Sequence, residues 1–150
     1  MKRLLVLLLI LTTAACGVRP SDVIEGGQAP AEEEITESTV LYLLQGATLT
    51  RVVRPPGEQS PLDLLAKGPT PEELAEGLTT EIPPYASPIT MVPGTNGATV
   101  HIASRLKYLS PLAQSQLVCT AITPDQPPGI QITLTDPTET LPPQPCPFKA

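Results

Sequence analysis

The chain starts with a short cationic stretch, Met1–Lys2–Arg3, runs without a polar break from Leu4 to Leu11, and then passes into Thr12–Thr13–Ala14–Ala15–Cys16. That order of cationic, apolar and small residues over positions 1–15 is the pattern of a secretory signal. The apolar run is too short to be a membrane span, which takes about 20 residues. From Gly17 to Ser38 large apolar positions nearly vanish. Asp22, Glu25, Glu32, Glu33, Glu34 and Glu37 stand against the single Arg19, interspersed with Pro20, Gly26, Gly27 and Pro30. Such a segment buries too little apolar surface to offset its ordering entropy, so residues 16–38 read as a disordered acidic tether. As a flexible coil it would reach roughly 25 Å.

Hydrophobic periodicity starts at residue 39 and predicts a folded region to about residue 135. Thr39–Leu44 is β-branched and apolar, Gln45–Gly46 signals a turn, and Ala47–Arg54 reads as a second strand of a hairpin. Ser60–Pro61 is a helix start, with Leu62, Leu65 and Ala66 on one face and Gly68–Pro69 as a stop. Thr70–Pro71–Glu72–Glu73 repeats the start as a capping box, and Gly77 closes it. Ile89–Val92 reads as an edge strand paired with Ala98–Ala103 across Gly94–Gly97. Ser110–Pro111 opens the clearest helix, apolar around most of its circumference and hence largely buried. Ile130–Leu134 alternates as a last strand. These elements make an α+β domain, residues 39–135, with a mixed or antiparallel sheet and about three helices. Residues 136–150 form a proline-rich tail.

Composition narrows this picture. Twenty prolines in 150 residues are far above the usual proportion of about 5%, so much of the chain is irregular. The formal charge is −6. Without Lys2 and Arg3 the bases fall to seven against fifteen acids, or −8. No nucleic-acid partner is expected, because phosphate binding requires a surplus of Lys and Arg on one face.

Cys16, directly after Ala14–Ala15 and before Gly17, resembles the lipobox of bacterial lipoproteins. The resemblance implies cleavage between Ala15 and Cys16 and diacylglyceryl modification of the Cys16 thiol. Each buried methylene contributes about 0.8 kcal/mol, and stable anchoring takes more than one acyl chain, which a diacylglyceryl group supplies.

A second resemblance covers nearly all of the folded region. Val40–Leu41–Tyr42–Leu43, Val52–Val53–Arg54, the run Leu64–Leu65–Ala66–Lys67–Gly68–Pro69–Thr70–Pro71–Glu72–Glu73, Gly77–Pro83 and Gln114–Thr120 are similar to the GerMN domain of sporulation and germination proteins. The family is common in lipoproteins of high-GC Gram-positive bacteria. The resemblance implies a compact α+β domain that works in protein assemblies at the envelope, with no family catalytic residues to carry over.

The remaining polar residues offer little catalytic chemistry. His101 is the only histidine; alternation puts it on the face opposite Val100 and Ile102, so it reads as solvent-facing. It has no second His for a usual zinc site and no G-x-S-x-G elbow to serve. Glu72, Glu73 and Glu76 could be named an acid set, but the start of a helix favours acids through its macrodipole. Gln116 and Thr120, four apart, form a polar strip on an otherwise apolar helix, and they contact either a ligand or neighbouring backbone. With Cys16 lipidated, Cys119 and Cys146 remain as an even pair in an exported chain, where oxidation is favoured. A disulfide between them is the leading reading; two free thiols and an intermolecular bond are the alternatives.

Together these readings describe a lipid-anchored protein on the outer face of the cell membrane. It acts by binding, without cofactor or metal, through an envelope protein partner or self-association. The alternative is a binder of a small molecule or cell-wall fragment; a cell-wall hydrolase fits least.

Overall fold

The structure, a computed structural model, describes residues 38–122, 126 and 128–148. It is an α+β domain of three helices and two three-stranded sheets. In the first sheet, β1 (Thr39–Gln45) lies between β2 (Thr48–Arg54) and the two-residue β3 (Leu78–Thr79), all antiparallel. In the second, β5 (Gly97–His101) lies between β4 (Thr90–Gly94), antiparallel, and β6 (Gln131–Thr135), parallel. The expected strands therefore form two sheets rather than one. Parallel neighbours need a long crossover, and the chain between β5 and β6 includes the longest helix.

Three serine or threonine caps followed by proline set the helices α1 (Pro61–Lys67), α2 (Pro71–Ala75) and α3 (Pro111–Ala121). The Ser60 hydroxyl accepts from the Asp63 N–H at 3.1 Å and the Ser110 hydroxyl from the Ala113 N–H at 3.0 Å. Thr70 and Glu73 form the reciprocal capping box. Gly68 ends α1 with φ +92°, a backbone angle that disfavours other residues.

Helix α3 joins the two halves. It packs on β1 of the first sheet, on β5 and β6 of the second, and on α1. Seven of its eleven residues are buried, which explains its apolar circumference. Leu117 and Val118 meet Leu43, Leu65, Val100, Ile132 and Leu134 in one core. The β5–β6 contact is close: a Cβ at Gly97 would run into the Gln131 carbonyl, so only glycine fits.

The folded unit continues past residue 135. After β6 the tail turns back and lies along its free edge, with the Leu141 N–H donating to the Leu134 carbonyl at 2.9 Å. Ile132 and Gln144 exchange two backbone hydrogen bonds at 2.9 and 3.0 Å. Pro142, Pro143 and Pro145 have no N–H, but at an outer edge only Leu141 and Gln144 need donate. The proline content keeps this segment out of a sheet interior and still allows it to cover an edge.

Candidate functional site

The polar strip of α3 faces inward. Gln116 is 0% exposed and Thr120 4%. The Gln116 Nε2 donates to the Tyr42 carbonyl at 2.9 Å while its Oε1 accepts from the Glu81 N–H at 2.9 Å. The Thr120 hydroxyl accepts from the Tyr42 N–H at 3.0 Å. These side chains thus serve β1 backbone groups just beyond the reach of the short β3. Of the two sequence readings, ligand contact gives way to neighbouring backbone: the sequence cannot show which way a polar strip faces, and here it faces a strand whose edge needs partners.

Cys119, 1% exposed, lies between them on α3 and is disulfide-bonded to Cys146, with Cα atoms 4.8 Å apart. Two residues on, the Phe148 ring meets the Tyr42 ring edge-on at 5.3 Å between centroids. Tyr42 is thereby gripped through its backbone by α3 and through its ring by the tail. Cys16 and the Ala15–Cys16 junction lie outside the described residues. His101 is exposed on β5, opposite Thr90 and Thr135.

The glutamates of α2 separate by role. Glu73 closes the capping box and also receives a two-pronged contact from Arg54, Nε to Oε1 at 2.9 Å and Nη2 to Oε2 at 2.5 Å. Arg54 further donates to the Gly68 carbonyl at 3.1 Å. Its hydrogen bonds, and the Thr70 N–H, outweigh burial and hold the Glu73 carboxyl below its ordinary pKa. The end of β2, the stop of α1 and the start of α2 are fastened at one point. Beside it is an open cleft of about 490 Å³ walled by Pro55, Leu64, Pro69 and Pro71, with Lys67 at its side. On its Pro69–Pro71 side backbone donors are few: Pro69 and Pro71 have no N–H, and those of Gly68 and Thr70 are engaged by Leu64 and Glu73, so the donors on offer are the side chains of Lys67 and Gln59.

Two further carboxylates organise the fold, and neither stood out in the sequence. Asp63 accepts from Ser60 Oγ at 2.8 Å, Ser87 Oγ at 2.5 Å and the Ile89 N–H at 3.0 Å, tying α1 to the segment that enters β4. Burial would raise its pKa, but these three donors lower it overall. Asp136, 8% exposed, accepts from the N–H groups of Leu106, Thr138 and Glu139 at 2.6, 2.5 and 2.9 Å and from Thr138 Oγ1 at 2.7 Å. Burial acts against ionisation there too, yet the donors hold the carboxyl far below the usual carboxylate range. An Asp-Pro pair beginning a turn was the available signal for Asp136. Its bond to Leu106, thirty residues away, had none.

Among the described residues no group of His, Cys, Asp and Glu is arranged to hold a metal ion, and no helix is long and apolar enough to cross a membrane. Comparison with family models, curated proteins and solved structures finds no match. What reaches solvent is a set of large side chains: Tyr108 is 72% exposed, Tyr85 69%, and Leu74 and Val92 55% each.

Proposed function

We propose that this is a lipid-anchored protein on the outer face of the cell membrane whose GerMN-like domain is a protein-interaction or accessory module of the cell envelope. The observation that carries the reading is the division of labour among its side chains. Gln116, Thr120, Asp63, Glu73 and Asp136 are each committed to internal hydrogen bonds. Tyr85 and Tyr108, whose rings offer large rigid contact area at low entropic cost, are left in solvent. A surface so equipped suits contact with another macromolecule. Anchoring rests on the sequence around Cys16. A second reading, a binder of a small molecule or wall fragment, draws on the cleft beside Leu64, whose volume of about 490 Å³ is in the range of ligand pockets. Crosslinking and affinity capture of the intact protein from membranes tests the first reading. A specific protein partner, or a second copy, is the expected result; recovery of only soluble wall fragments would transfer the assignment to the second.

A further inference from the structure

We propose that the outer edge of β2 binds an extended segment of a partner protein as an added antiparallel strand, with a carboxylate opposite Arg51 and apolar residues opposite Leu49 and Val53. The inference rests on the interaction-module reading and gives it a surface and a partner chemistry.

The backbone identifies an extended segment. β2 pairs with β1 alone. The two-residue turn Gly46–Ala47 makes Gln45 and Thr48 the first hydrogen-bonded pair of the hairpin. The ladder therefore continues through Thr50, Val52 and Arg54, and the N–H and C=O groups of Leu49, Arg51 and Val53 point away from β1. Among the described residues none of these groups has a partner. The other strands that end a sheet are closed to such an addition: β3 is two residues long, β4 carries Pro93, and β6 is covered by Leu141 and Gln144. β2 is seven residues long and has no proline. An edge of alternating free donors and acceptors is matched by another strand rather than by a compact ligand.

The side chains select the strand. Residues directly opposite one another share a sheet face, so the register puts Leu49, Arg51 and Val53 on one face with Leu44, Tyr42 and Val40. Val53 is 51% exposed, and Arg51 is exposed beside it. Neither β1 nor β2 contains a carboxylate. Glu73 is held by Arg54, which alternation puts on the opposite face, and among the described residues Arg51 is in no ion pair. A second copy would fit the backbone: about a two-fold axis at Arg51, Leu49 of each chain meets Val53 of the other. That axis also sets Arg51 against its own copy, and like charges directly opposite are destabilising. A carboxylate in the same place turns repulsion into attraction, and apolar residues two positions to either side of it cover Val53 and Leu49. One side chain thus rejects a copy of this chain and selects an acid-bearing strand.

The test follows the backbone amides of the full chain in detergent micelles by NMR while the peptide acetyl-Ser-Val-Thr-Glu-Thr-Val-Ser-amide is added to millimolar concentration. Shifts and slowed hydrogen exchange are expected at the Leu49, Arg51 and Val53 amides, with no slowing at Thr50 and Val52, which β1 already holds. N-methylation of the peptide's glutamate, whose N–H faces β2, should abolish the effect. N-methylation of a neighbouring threonine, whose N–H faces away, should leave it. Lysine in place of that glutamate should weaken binding by about threefold or more, and Arg51→Glu should reverse the preference between the two peptides. Val53→Pro removes an outward N–H without touching the β1 ladder and should abolish binding. An unchanged thermal midpoint checks that it folds, and the N-methylated peptides make the same test on the parent chain. No response at millimolar peptide, an equal response to both N-methylated forms, or a preference that Arg51→Glu does not reverse overturns the proposal. So does protection of these three amides in the chain alone, rising with its concentration, which would give the edge to a second copy. If capture from membranes returns a partner while the edge amides ignore the peptide, the surface assignment falls and the module reading stands.

Discussion

Gln116 and Tyr42, seventy-four residues apart, are joined by a 2.9 Å hydrogen bond from the glutamine amide to the strand carbonyl. With Thr120 on the adjoining N–H, a helix supplies the partners that a longer β3 would have supplied. This relationship explains two polar residues inside an apolar core.

Replacing Gln116 by leucine, of similar volume, strands the Tyr42 carbonyl and the Glu81 N–H with little change in packing. Each unsatisfied group costs about 1–3 kcal/mol, so we expect Gln116→Leu to destabilise the domain by about 3 kcal/mol in urea unfolding. Thr120→Val, which removes one acceptor, should cost about half as much. A leucine variant as stable as the parent would show that these bonds are not what holds α3 against β1.

What was legible in the sequence was what is decided locally. Ser60–Pro61, Thr70–Pro71 and Ser110–Pro111 announce helix starts because a cap is made within three residues. The β1–β2 and β4–β5 hairpins follow from turn residues between alternating runs. The division into two sheets depends on β6 pairing parallel to β5 across α3, and β3 is two residues long, below any periodicity. The tail's place on β6 rests on two donors, Leu141 and Gln144, among the four prolines of residues 140–148, and composition showed only the prolines. Nor does the local pattern say which loops become neighbours; the Ala103 to Ala86 bond joins two of them.

Three carboxyls, Glu73, Asp63 and Asp136, lie below their ordinary values of 4.5, 3.8 and 3.8. A carboxyl with a depressed folded-state pKa contributes stability that is fully present above its unfolded value and lost as pH falls through the folded one. Urea midpoints should therefore stay level from neutrality to about pH 5 and decline steadily below about 4.5. Asp136→Asn should lower the neutral midpoint and flatten the most acidic part of the decline. Midpoints that rise on acidification would contradict the hydrogen-bonded assignments.

Lipidation of Cys16 predicts that the mature protein enters the detergent phase of a Triton fractionation, because two acyl chains bury enough methylenes for stable anchoring. Cys16→Ala should release the protein to the aqueous phase or leave it unprocessed. An alanine variant that is cleaved normally and still stays with the membrane would remove the anchor from the account.

The last prediction concerns the strap made by residues 140–148. Its backbone bonds to β6 involve Leu141, Gln144 and Ile132, each worth about 1 kcal/mol net. The Phe148 ring adds an edge-on contact with Tyr42. Against the conformational freedom of a chain end these are weak, so the Cys119–Cys146 bond has to carry much of the attachment. It closes a loop of 27 residues, worth about 3.5 kcal/mol in the chain-entropy model, and the 4.8 Å Cα separation lies in the ordinary range for a bridge. Cys146→Ser should therefore lower stability by up to about 3.5 kcal/mol. It should also raise hydrogen exchange at the Ile132 and Gln144 amides, each of which donates to the other residue's carbonyl, and leave the β5 amides protected by their neighbours on both sides. Non-reducing peptide mapping of the parent should recover a fragment linking positions 119 and 146. Quantitative alkylation of both thiols without reductant would show that the strap is held by its hydrogen bonds alone, and exchange at Ile132 would then be the same in the parent and in Cys146→Ser.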